Sequence, residues 1–127
     1  MNKRIIITAA IFGILAVVFG AFGAHIIKAK VSNDQMEIWH TAVQYHFIHT
    51  LALLFLSTFA RFKNNLINIS SYCFVIGIIF FSGSLYLMAL KDILSINTKF
   101  LGPVTPLGGL LFIFGWIGLL LAAIKDK

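Results

Sequence analysis

The chain has 127 residues, 60% of them hydrophobic and 11% charged, with a formal net charge of +6 and a mean hydropathy of +0.97. A water-soluble domain carries roughly 25% charged residues to cover its surface, so this composition excludes an ordinary soluble fold. The ten Lys and Arg fall in short groups between apolar runs, which excludes the basic stripe of a nucleic-acid interface and reads as loop charge that sets membrane topology.

The first apolar run covers residues 5–27. With Met1-Asn2-Lys3-Arg4 before it and Ala21-Phe22-Gly23 inside it, it has the outline of a signal peptide. It is longer than the apolar region of such a peptide, about 7–15 residues, so an uncleaved first span is expected. Ala9, Gly13, Ala16, Gly20 and Ala24 are predicted to line one narrow face. Small residues let membrane helices approach closely.

A link at 28–38 follows. Ser32-Asn33-Asp34-Gln35 has the form of a capping box. Asp34 and Glu37 fall in the first turn, where the helix dipole favours negative charge. Trp39 falls where an interfacial aromatic belongs. The second run, 39–60, is the most polar of the set. At 100° per residue, Glu37, His40, Thr41 and Gln44 group on one side, with Trp39, His46, His49 and Thr50 roughly opposite.

The third run, 66–90, carries Ser70, Cys73, Gly77 and Ser84 as small residues. Cys73 is the sole cysteine and reads as a packing residue. Before the fourth run, 106–124, Gly102-Pro103 marks a tight turn, and Thr105-Pro106 reads as a helix cap followed by a first-turn proline. Gly108, Gly115, Gly118 and Ala122 form its small-residue face. Trp116 is too deep for a boundary residue and needs an acceptor for its indole N–H.

Each run is close to the about 20 residues a helix needs to cross the hydrocarbon core. The runs lack the alternation of membrane strands. The expected fold is therefore an all-α membrane protein, one domain over 1–127, forming a four-transmembrane-helix up-down bundle joined by short links at 28–38, 61–65 and 91–105. One side holds Lys3, Arg4, Arg61, Lys63, Lys125 and Lys127; the other holds Lys28, Lys30, Lys91 and Lys99. The richer side is expected in the cytoplasm, with both termini.

Ionisable and polar residues inside spans are functional candidates by default. Here they are His25, His40, Gln44, His49, Ser84 and Tyr86, beside the packing candidates Gly13, Gly20, Gly77, Gly108, Gly115 and Gly118. His46-x-x-His49 places two imidazoles within one turn, but a metal site needs a third and usually a fourth ligand. A haem between helices needs facing histidines, for which His25 opposite His40 or His46 is the candidate. No nucleophile–base pair, phosphate loop or paired carboxylates occurs in the sequence, so no catalytic residue, metal site or cofactor is expected.

Gly20-Ala21-Phe22-Gly23-Ala24-His25, Trp39-His40-Thr41-Ala42-Val43-Gln44-Tyr45-His46 with His49, Phe81-Ser82-Gly83-Ser84-Leu85-Tyr86, and Leu101-Gly102-Pro103-Val104-Thr105-Pro106-Leu107-Gly108-Gly109 with Gly115-Trp116 occur in order along nearly the whole chain. This series resembles the family known as domain of unknown function 423, whose eukaryotic relatives are called transmembrane protein 256. The chain departs from that pattern at Ile26-Ile27 and at His46, where glutamine is common. The resemblance implies an integral protein of the bacterial inner membrane and assigns no activity, ligand or cofactor.

Three readings follow. The first is a compact bundle acting through packing, with the lipid bilayer and either a second copy or another membrane protein as partners. It expects Gly20→Leu and Gly115→Leu to disrupt assembly and His49→Ala to be mild. The second is a small transporter or proton-linked permeation protein using His25, Gln44, His49 and Tyr86. The third is a haem- or metal-binding membrane protein.

Overall fold

The computed structural model describes residues 2–59 and 65–126, and all regular structure among them is helical. Helix α1 runs Lys3–His25, α2 Asn33–Ser57, α3 Asn65–Gly77, α4 Gly83–Ala89, α5 Lys91–Leu94 and α6 Val104–Lys125. A π-helical turn, Ile78–Ser82, joins α3 to α4, so the two form one rod, Asn65–Ala89. Three rods are long and apolar enough to cross a membrane: Lys3–Ala29, Asn65–Ala89 and Lys99–Lys125. Helix α2 has 25 residues, a length of about 37 Å at 1.5 Å per residue. Its histidines, glutamines and threonines leave it outside that apolar set. The link at 61–65, with Arg61 and Lys63 of the charge count, lies largely outside the described residues, as does Lys127.

The helix ends follow local chemistry. The Asn2 side chain accepts from the amides of Arg4 and Ile5 and starts α1. The capping box forms in full: the Gln35 amide donates to Ser32 Oγ at 3.2 Å and the Ser32 amide to Gln35 Oε1 at 3.0 Å. The cap predicted at Thr105 does not form. Helix α6 starts earlier, at Val104, with Pro103 in the capping position and no side-chain cap. Pro103 can stand there because an N-terminal amide has no intrahelical partner to lose. Thr105 instead lies inside the first turn, its hydroxyl 2.5 Å from that of Ser84.

The rods pack in chain order. Helix α1 lies antiparallel along α2: Gly23 meets Trp39, Gly20 meets Val43 and Gly13 meets Thr50, and the Asn2 amide donates to the Ser57 carbonyl at 3.0 Å. The α3–α4 rod packs between α2 and α6, while α1 and α6 make no extended contact with each other. The buried side of α1 runs Ile5, Ala9, Ala16 and Gly23, with Phe12 and Phe19 partly buried between them. These positions alternate by fours and threes, which holds one face of a 3.6-residue turn. The predicted stripe has a similar spacing but is rotated about 60° around the helix from that face, so Gly13 and Gly20 sit at the edge of the seam and Ala24 is exposed.

Against α6 the register repeats turn by turn. Ser70 meets Gly118, Phe74 meets Gly115, Phe112 meets Gly77, Phe81 meets Gly108, and Ser84 meets Thr105. Phe74 and Phe81 from one rod and Phe112 from the other each fill the space that a missing Cβ leaves opposite.

Candidate functional site in the polar core

Helix α2 carries buried polar groups along a face that meets α1, the α3–α4 rod and, through His49, α6. Gln35, Trp39, His46, His49, Thr50 and Ser57 are buried on it, while Glu37, His40 and Gln44 are exposed. This matches the two-sided grouping expected from the helical angle. The clusters around His46 and His49 lie one turn apart but face different helices.

The first cluster faces α1 and α4. His46 Nδ1 lies 2.9 Å from Tyr86 Oη. Phe12 meets the His46 ring edge-on with centroids 5.9 Å apart, and Tyr86 packs 4.7 Å from Trp39 and 4.9 Å from Phe19. The Phe12 backbone lies against the imidazole, but Nε2 makes no well-formed hydrogen bond. Trp39, expected at the membrane boundary, is only 4% exposed and donates its indole N–H to the Phe19 carbonyl at 3.0 Å. It is buried because α1 offers both a hole, at Gly23, and an acceptor.

The second cluster faces α3 and α6. The His49 ring stacks on Phe112 with centroids 3.6 Å apart and planes 8° from parallel. His49 Nδ1 lies 2.8 Å from the Tyr45 carbonyl, which can only accept, so Nδ1 carries the proton. Trp116 donates its indole N–H to His49 Nε2 at 3.1 Å, so that nitrogen is bare. The two bonds together fix the neutral Nδ1–H tautomer. Trp116 thereby gains the acceptor its depth requires.

The remaining candidates do not converge. His25 is exposed at the end of α1, and His40 and Gln44 are exposed on α2. Ser84 donates to the Phe81 carbonyl at 2.9 Å and contacts Thr105, whereas Tyr86 turns to α2. His25 therefore does not share a buried site with His46, and no group of three or more His, Cys, Asp or Glu able to hold a metal occurs among the described residues. Cys73 is partly buried and free.

Two residues of this core stand outside the six polar candidates named from the sequence. His46, not a chosen candidate, is Tyr86's partner. Ser82, fully buried in the π-helical turn, donates to the Ala42 carbonyl of α2 at 2.8 Å. The wider turn closes through the Gly83 amide to the Ile78 carbonyl. Such turns are inserted where a helix must re-aim its side chains. The inward angle of His46 was the available signal for the first; nothing in the sequence marks the turn.

Residues 19–109 match the family model described as protein of unknown function (DUF423). The chain is 42% identical over 123 residues to a UPF0382 membrane protein of Staphylococcus aureus (strain bovine RF122 / ET3-1), covering 97% of each chain. It is 39% identical over 125 residues to the UPF0382 membrane protein YwdK of Bacillus subtilis (strain 168), covering 97% of this chain and 98% of that one. A UPF0382 membrane protein of Staphylococcus haemolyticus is 38% identical over 123 residues, again covering 97% of each. No solved structure matches. With a family model spanning its middle and relatives aligned along almost its entire length, the chain belongs to the DUF423 (UPF0382) family of membrane proteins.

Proposed function

We propose that the chain crosses the bacterial inner membrane four times, with both termini in the cytoplasm, and acts through helix packing as an accessory or homo-oligomeric membrane component. The support for α2 as a fourth span is its neighbour: it lies along α1 from Gly23–Trp39 to Asn2–Ser57. If α1 crosses the hydrocarbon, α2 crosses beside it. Its low hydropathy is compatible with this because His46, His49, Thr50 and Ser57 on its later turns are buried and hydrogen-bonded, while Asn33, Asp34 and Glu37 are exposed at its start.

The observation that carries the packing role is His49. Both ring nitrogens are engaged, one with the Tyr45 carbonyl and one with the Trp116 N–H. A protonated ring would set its Nε2–H against the indole N–H, and a metal or haem at Nε2 would displace the indole. Hydrogen bonds of this kind contribute about 0.6–2 kcal/mol each between membrane helices. The flanks support a partner as well: α1 and α6 leave Ile14 at 65%, Val17 at 59% and Leu120 at 57% exposure, free for lipid or another copy.

Reporter fusions at both ends test the topology. Four passes place both reporters in the cytoplasm; termini on opposite sides overturn the fourth span. Reconstitution tests the role. Crosslinking in the native membrane is expected to trap a homo-oligomer or a fixed membrane partner, and liposomes carrying the protein are expected to show no proton flux that depends on His49. A strictly monomeric, partnerless chain, or flux lost in His49→Ala, overturns the packing role.

A further inference from the structure

We infer that the gap between α1 and α3, at the end of the molecule where both helices begin, is a binding site for one anionic glycerophospholipid. Only α2 backs this gap, because α1 and α3 do not pack closely on each other. The result is a cleft of about 390 Å³, open to the side. Arg4, Asn68 and Tyr72 line it, with Thr8 and Ser71 a turn further along their helices, Val75 beyond them and Leu53 behind.

The chemistry is divided as a phospholipid is divided. Arg4 lies in the first turn of α1, at the depth of headgroups for a helix that spans. Its guanidinium has no acidic partner among the described residues. Asp34, Glu37 and Asp92 lie at the opposite end of the rods, and Asp126, which follows α6 at the same end as Arg4, is not among the residues that line the cleft. A guanidinium presents N–H groups in a fork that matches phosphate oxygens. The Asn68 amide and the Tyr72 hydroxyl add donors on the facing wall, with no partner of their own among the described residues. Val75, over the buried side chains of Ile5 and Leu53, then leads from the polar rim into the hydrocarbon, a path that suits an acyl chain and has nothing to offer a free phosphate ion. Basic pockets between membrane helices are a recognised way of holding anionic headgroups. The site requires only α1 and α3 in the bilayer, so it stands apart from the oligomeric reading.

Native mass spectrometry of the purified full-length protein in detergent tests this, with dioleoylphosphatidylglycerol and dioleoylphosphatidylcholine added in equal amounts. The expected result is one retained phosphatidylglycerol. Its preference over phosphatidylcholine is expected to fall about five-fold in Arg4→Gln, the effect of one basic group near a lipid surface, to fall also in Asn68→Leu, and to be unchanged in Lys3→Gln. All three positions are exposed, so the variants are expected to fold, and helical circular dichroism checks it. Equal retention of the two lipids, an equal loss in Lys3→Gln, or displacement of the lipid by millimolar inorganic phosphate would overturn the assignment.

Discussion

The two outer seams of the molecule use glycine differently. Where α6 meets the α3–α4 rod, a Cβ on Gly115 would stand 2.5 Å from Phe74, one on Gly77 would stand 2.6 Å from Phe112, and one on Gly108 would strike the Phe81 backbone amide. Where α1 meets α2, a Cβ on Gly13 or Gly20 would lie 3.7 or 3.6 Å from its nearest neighbour, an ordinary contact. Only Gly23, beneath Trp39, is tight there. The α3–α6 seam is thus set by closeness of backbone and ring. The α1–α2 seam is set by aromatic bulk and an indole hydrogen bond, with glycine needed at one end. A small-residue stripe therefore has no fixed energetic meaning until the opposing side chain is known.

The largest effect expected on that contrast is at Gly108. In Gly108→Ala the added methyl meets backbone atoms of Phe81, including Cα at 2.8 Å, and a backbone cannot swing aside as a side chain can. The expected loss is about 3 kcal/mol, the upper part of the range for overpacking. Gly20→Ala is expected to go the other way, gaining up to about 0.5–1 kcal/mol from the helix preference of alanine over glycine. Unfolding of both variants in mixed micelles with SDS measures the difference; equal destabilisation would remove the distinction between the seams.

The next largest lies on α2. His49 is 4% exposed, and His49→Ala removes a ring stacked on Phe112 and strips Trp116 of its acceptor. A loss of about 2 kcal/mol is expected, the low end for large-to-small changes in a packed site. His40→Ala, on the exposed side of the same helix, is expected within about 0.5 kcal/mol of the parent. The mild outcome for His49→Ala that the sequence alone suggests is thus replaced by a structural one. A shift in Trp116 emission in His49→Ala, absent in His40→Ala, reports the lost hydrogen bond directly.

What could be read beforehand follows from which signals are local. Helix extent is local: apolar runs, the Ser32–Gln35 box and the inward angle of His46 and His49 all depend on a few neighbouring residues, and the helices fall where these place them. Partners are not local. The angle puts Tyr86 and His49 on inward faces but cannot say that Tyr86 meets His46 and His49 meets Trp116. The burial of Trp39 depends on Gly23 of another helix, and the partner of Thr105 is Ser84 of another helix. The inward polar residues of α2 are accordingly legible from the helical angle, while their dispersal among separate neighbours is not.

The smallest expected effect separates the ends of the rods from their middle. Gln35 donates to Asp92 Oδ2 at 2.7 Å, joining the start of α2 to α5, while the same side chain's oxygen caps α2 through Ser32. Asp92 is exposed, so water competes for its carboxylate and the bond is worth less than its length suggests. Asp92→Ala is expected to cost about 0.5–1 kcal/mol, within the usual net value of a hydrogen bond, and to leave the cap intact. Gln35→Ala removes both the bond and its half of the capping box and should cost roughly 1 kcal/mol more. Hydrogen exchange at the amides of the first turn of α2 distinguishes the two: faster exchange is expected in Gln35→Ala only. Equal exchange in both variants would mean that the α5 contact, and not the cap, holds the entry of α2.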